Sequence, residues 1–331
     1  MHKTAKAYKK NFKNNMQKVN YIDLHCDSLT ISYDYINGIN SNLLQASVQN
    51  LIDAGATAQC YAIFTSNANE SDFLKYVYHL KEQFTKYGQL IKPILNFNHL
   101  KEVEKEGKLG VILTVENLAF IKKDVEYINE LSLAGVKMAS LVWNYKNELA
   151  YPNVKFNNGT PNFALREKRG LTKLGRQAVE LLDKNKIIID LSHLSDGGVN
   201  EILKGRKIPV VASHSNAAAI KNVSRNLTDG QIKAVSNCGG VIGVNFCKDF
   251  VGECNIFQGL LQHIKHLINV GGEDVVALGS DFDGIPEVKD LENCKKLPKL
   301  FSYLYNNGIK EELLEKFARK NFERVFKEVV G

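Results

Sequence analysis

No stretch of this sequence is apolar for long enough to cross a bilayer. Its lysine-rich start leads into no apolar secretory core, and its end carries no lipid-anchor tail, so a cytoplasmic protein without membrane attachment is expected. Cysteine pairs at metal or redox spacing are missing too. Six cysteines (Cys26, Cys60, Cys238, Cys247, Cys254 and Cys294) lie scattered with no C-x-x-C among them, which points to reduced, buried thiols. Residues 1–18 lack any acidic group. They hold six lysines, so the net charge of +7 belongs to this segment and the remainder carries about +1. A nucleic-acid footprint is therefore not expected. No internal repeat or linker divides the rest, and the chain reads as a basic tail over residues 1–18 and a single domain over 19–331.

The sequence does hold a regular alternation of strand-like and helix-like segments. Short apolar runs near residues 21–27, 59–64, 109–116, 136–143, 187–193, 208–214, 240–246 and 275–281 are separated by segments with helical spacing. Alternation of this kind indicates parallel strands with helices packed outside. Residues 91–97 are ambiguous and read as a peripheral strand. Eight strands then remain, which predicts a TIM (β/α)8 barrel. A doubly wound open sheet is the rival, but no glycine-rich phosphate loop follows the first strand. The irregular, asparagine-rich stretch 144–170 is long enough to suggest a functional loop.

Ligand-type side chains gather at the ends of these strands. His25 and Asp27 end the first, one residue apart and so on one side, with Cys26 turned away. Glu116, His193, His214 and Asp281 each end a later strand. In a barrel all such tips meet at one rim, where active sites are built. The other histidines look different. His2 lies in the tail, His79 and His99 fall in helical stretches without a carboxylate partner, and His263 and His266 have the spacing of a solvent-facing helix side. Three imidazoles and up to three carboxylates exceed the needs of one four-coordinate zinc and suit two metals sharing a carboxylate and a water. Nitrogen and oxygen donors without thiolate favour Zn2+, with other divalent ions as alternatives. Such a pair activates water, so hydrolysis is the expected chemistry, with Asp281 as the candidate proton carrier.

The motifs D-L-H-C-D (23–27), V-E (115–116), D-L-S-H (190–193), S-H-S (213–215), S-R-N (224–226) and G-S-D-F-D-G (279–284) occur in this order. In them the chain resembles the membrane dipeptidase (renal dipeptidase) family of binuclear zinc peptidases, among the amidohydrolase-like barrels, from about residue 21 to the C-terminus. The resemblance implies a dipeptidase using a bridging hydroxide held by two zinc ions. It implies that His25 and Asp27 hold one zinc, that His193 and His214 hold the other, and that Glu116 bridges both. Asp281 would shuttle the proton, and Arg225, with Asn226 beside it, would meet the substrate carboxylate. Relatives are commonly dimeric, so a homodimer is an expectation of the same kind. Two departures stand out. Asn117 and Leu118 follow Glu116 where the family often has a glycine pair, and Trp143, followed by Asn144, stands near the place of a histidine that polarises the scissile carbonyl in some members. Trp143 is thus a candidate substrate contact, and another binuclear amidohydrolase activity, on a cyclic amide, lactone or phosphoester, is the alternative. A metal-binding barrel without turnover is a more distant one.

Overall fold

In the computed structural model the described residues are 19–65, 70–157, 159–252 and 255–331. The basic segment 1–18 and Cys254 lie outside them. The strands are β1 (Tyr21–Cys26), β2 (Ala56–Phe64), β3 (Ile91–Pro93), β4 (Leu109–Glu116), β5 (Met138–Ser140), β6 (Lys155–Asn157), β7 (Thr160–Asn162), β8 (Ile188–Asp190), β9 (Val211–Ala212), β10 (Val241–Val244) and β11 (Val276–Leu278). Eight of them form a ring of parallel neighbours, β1-β2-β4-β5-β8-β9-β10-β11, which closes where β11 pairs with β1. This is the expected TIM barrel. The ambiguous segment forms β3, which pairs with residues 109–111 of β4 while β5 pairs further along the same edge. It is an addition to the wall and not a ninth stave. β6 and β7 form an antiparallel hairpin inside the long loop.

The barrel interior is filled by one or two apolar residues from each stave: Ile22 and Leu24, Ala58 and Cys60, then Ile112, Met138, Ile188, Val211, Val241 and Ala277. The C-terminal helix Asn321–Val329 presses Phe322 and Phe326 into the same cluster. The lower end is thereby sealed with apolar mass, and only the end at the strand C-termini is left for polar groups.

Strict alternation along β1 would send His25 outward with Tyr21 and Asp23. Instead the pairing of β1 with β2 shifts register between Asp23 and Cys26. Cys26 then packs in the helix-facing cluster although Leu24, two residues earlier, faces the interior. A local irregularity of this type reverses the phase of a strand and re-aims its side chains. His25 turns inward because of it.

Higher up, Gly243 and Gly279 face the backbone of Ser213, and a Cβ on either would overlap the Ser213 carbonyl oxygen. The glycines of β10 and of the segment after β11 therefore permit the close approach that seats Ser213 and its neighbour His214.

His263 departs from its expected place. It is fully buried in the helix Ile256–Gly271. Its Nδ1 accepts from Ala217 N at 3.1 Å and its Nε2 donates to Val251 O at 3.1 Å. The helical spacing was right, but this face meets two loops of the rim and not water. Burial pushes the imidazole down to about 4. We expect His263→Leu, which leaves both backbone groups unpaired, to lower unfolding free energy by about 3 kcal/mol in urea titration. A neutral His263 stabilises fully above its ordinary value of 6.5, and that contribution is lost as pH falls toward about 4. The wild-type protein should therefore lose more stability across this window than His263→Gln, which keeps the bonding pattern and does not titrate.

Candidate active site

The tips of β1 and β11 are laced together before they reach the rim. Asp23 accepts from Ser280 N at 2.8 Å and from Ser280 Oγ at 2.6 Å. Asp281 N donates to His25 O, and Asp27 N donates to Phe282 O. His25, Asp27 and Asp281 are thus brought to one place by backbone bonds. Asp281 and His193 both sit in the left-handed backbone region, at φ 67° and 68°. Non-glycine residues seldom adopt it, and it persists only where the surrounding structure holds it.

Glu116 lies between two sets of ligands. Its Oε2 is 3.6 Å from His25 Nε2, and that nitrogen is also 3.6 Å from Asp27 Oδ2 and 3.8 Å from Asp281 Oδ1. Its Oε1 is 2.9 Å from His193 Nε2 and 3.6 Å from His214 Nε2. One carboxylate therefore offers one oxygen to each set. Among the described residues, His25, Glu116 and His214 form one group with ligand atoms within 4.8 Å of each other, and His25, Asp27 and Asp281 form another.

A further layer sets the tautomers. His193 Nδ1 lies 2.9 Å from Asn144 Oδ1, which can only accept, so the proton is on Nδ1. Ser213 Oγ donates to Asp190 Oδ2 at 2.5 Å and so accepts from His214 Nδ1 at 2.7 Å. Both rings then point an Nε2 lone pair inward, and the two nitrogens are 3.0 Å apart. Two lone pairs and a carboxylate oxygen facing one another repel unless a cation lies among them. His25 Nε2 and Asp27 Oδ1 are buried with no hydrogen-bond partner, as ligand atoms awaiting a metal would be. The donor set is nitrogen and oxygen without sulfur, which fits a divalent ion such as zinc. Gly284 completes the cradle, since a methyl group there would overlap Asp27 Oδ2 and Asp281 Oδ1.

The electrostatics agree. Burial pushes the Glu116 carboxyl up, but the charge of His25 outweighs it and holds the group well below the usual carboxylate range. Burial disfavours a charged His25, yet Glu116 and Asp27 raise it well above the ordinary value. Burial and the Arg225 guanidinium lower His193 to about 4, and burial with the charges of His25 and Arg225 holds His214 well down. The carboxylates call for positive charge, and two of the three imidazoles are kept neutral, the ligating form. Burial, reinforced by Asp27 and Glu116, lifts Asp281 to about 7. Asn245 Nδ2 donates to its Oδ2 at 2.9 Å.

This centre forms the floor of a cavity of about 410 Å3. Trp143 forms part of the wall, edge-on to Phe64 at 4.9 Å and 6.1 Å from the His193 ring. Arg225 is 2% exposed and lines the cavity. Its Nη2 donates to His214 O at 3.2 Å and lies 3.2 Å from His193 Nε2, while Nη1 has no hydrogen-bond partner. Asn226 does not line the cavity. Its Nδ2 donates to the carbonyls of Lys221 and Phe250, because the turn that points Arg225 inward points its neighbour back into the loop. Asn226 is a brace for that turn, which corrects its expected place beside the substrate. The supporting Asn144, Ser213, Asp190, Asn245 and Gly284 carried no site role in the sequence reading, although Asp190, Ser213 and Gly284 stand inside motifs that drew attention. Nothing in the sequence marks Asn245.

Residues 9–330 match the family described as Membrane dipeptidase (Peptidase family M19). The chain is 30% identical over 256 residues to an uncharacterized protein of the pqqA 5' region of Klebsiella pneumoniae, covering 76% of this chain and 93% of that protein. It is 31% identical over 227 residues to an uncharacterized dipeptidase of Schizosaccharomyces pombe, where the match covers 67% of this chain and 53% of the relative. Its fold resembles that of a metallo peptidase from Rhodobacter sphaeroides crystallised with a phosphinate mimic of the dipeptide L-Ala-D-Ala, with a TM-score of 0.86, 22% identity, and coverage of 94% and 99% of the two chains. With the closed parallel barrel and the ligand cluster at its rim, this chain belongs to the membrane dipeptidase family, peptidase family M19.

Proposed function

We propose that this protein is a dipeptidase that works with two divalent ions, zinc in the first instance. The observation that carries the reading is the division of Glu116, with Oε2 toward His25 and Oε1 toward His193 and His214. His25 and Asp27 would hold one ion, His193 and His214 the other, and Glu116 both. When bound, such a pair lowers the pKa of a water and polarises the scissile carbonyl. The chain's own residues supply the rest.

Burial raises Asp281 to about 7, a value suited to a group that takes a proton from the attacking water as a carboxylate and returns it to the leaving amine as the acid. Asn245 fixes the carboxylate while leaving Oδ1 toward the centre. Arg225, buried and with Nη1 unpaired, is the cavity's own cation and suits a terminal carboxylate. The aromatic wall of Phe64 and Trp143 excludes water from the side of His193. An anchored carboxylate on one side and a closed floor on the other limit the substrate to about two residues.

Three measurements test this reading. Metal quantification on the wild-type protein should return two ions per chain, and Gly284→Ala should lose most of one, since the new methyl displaces Asp27 and Asp281. A full complement in Gly284→Ala would contradict the proposed ligand geometry. Asp281→Asn should keep its metal and lose about 10²- to 10⁴-fold in kcat on an alanine dipeptide. Arg225→Met should lower kcat/KM on dipeptides by about 10- to 100-fold. The wild-type enzyme should show a similar deficit on the matching dipeptide amide, and the variant should no longer distinguish acid from amide. A metal-loaded enzyme inert on a dipeptide panel but active on a lactone, cyclic amide or phosphoester would favour the other amidohydrolase reading.

A further inference from the structure

The cavity carries two carboxylates that the reaction does not use, and one of them is unpaired. Asp27, Glu116 and Asp281 belong to the metal centre. Asp283 is occupied, since its oxygens accept from Ser28 Oγ at 2.5 Å, Gln45 N at 2.8 Å and Ala46 N at 3.2 Å. Asp249 also lines the cavity, but it is exposed, and among the described residues its side chain makes no hydrogen bond or ion pair, including with its neighbour Lys248.

Its surroundings give it a direction. Asp249 precedes Phe250, whose ring lies 5.2 Å from the Arg225 guanidinium. Phe163 meets Phe250 edge-on at 5.2 Å. A substrate whose C-terminal carboxylate rests on Arg225 therefore has its last side chain beside an apolar wall that ends at an unpaired carboxylate. An aliphatic stem with a cationic tip matches that sequence of surfaces. The stem packs on Phe163 and Phe250, and the tip reaches Asp249 at the wet rim.

We propose that Asp249 is a specificity-determining residue that selects dipeptides whose C-terminal residue is basic, such as lysine or arginine. The assignment rests on the dipeptidase reading and on the carboxylate role of Arg225. Because Asp249 is exposed, its effect is that of a rim charge, modest and weakened by salt.

The test compares kcat/KM for Ala-Lys with that for Ala-norleucine, which keeps the stem and lacks the charge. The metal-loaded wild-type enzyme should prefer Ala-Lys about fivefold at low salt, through KM, and the preference should shrink at high salt. In Asp249→Asn the ratio should fall to about one, and Asp249→Lys should turn the preference against Ala-Lys. A ratio that Asp249→Asn leaves unchanged overturns the assignment of Asp249 alone. A charge preference that appears with Lys-Ala over norleucine-Ala and not with Ala-Lys overturns the orientation. Failure to hydrolyse any of these dipeptides overturns the dipeptidase reading and this assignment with it.

Discussion

The Glu116 carboxylate, buried between two sets of imidazoles, is the constraint on which the rest of the rim depends. Its oxygens cannot both be satisfied by protein hydrogen bonds, because His193 and His214 carry their protons on Nδ1, where they donate to Asn144 and Ser213, and face Oε1 with an unprotonated Nε2. Burying such a group is costly unless positive charge stands beside it. The structure meets this cost with a cradle for cations, and the strained tips at His193 and Asp281 follow from the need to aim side chains at that point.

The scaffold below makes the arrangement affordable. Apolar staves and the Phe322–Phe326 plug fill the lower barrel, so polar groups are confined to one end. Small residues then bring the backbone of the rim together. Gly243 and Gly279 let Ser213 approach, and Gly284 leaves room beside Asp27 and Asp281. Asp23, Asn245 and His263 hold the loops between these points by hydrogen bonds that fix where each ligand stands. Metal-site geometry commonly depends on such supporting groups as much as on the ligands.

Much of this was legible in the chain itself. The eight staves announced themselves because buried parallel strands are short apolar runs punctuated by helices, and the six rim residues because polar ligand types at the ends of such runs have no packing explanation. Two features escaped for a common reason. His263 has the helical spacing of a surface residue, yet the side of its helix that it occupies is covered by the loops at Ala217 and Val251. Asn226 stands next to Arg225 in sequence, but the turn sends the two side chains in opposite directions. Neighbourhood in sequence does not say which way a loop residue points, nor what packs over a helix from elsewhere in the chain.

The sequence by itself determined the order of staves, the closed barrel they imply and the kind of atoms presented at its rim, since local patterning decides strand, helix and ligand type. Only the tertiary structure decided how those atoms are shared. The register shift in β1 turns His25 inward, the split of Glu116 joins two sets of ligands, and the partners Asn144 and Ser213 choose which nitrogens remain free. Asn144 and His193 stand 49 positions apart in the chain, and although Ser213 adjoins His214, the Asp190 carboxylate that orients the Ser213 hydroxyl is 23 positions away. The physical reason is that hydrogen bonds and charges act through space, where only the folded backbone places their partners within reach.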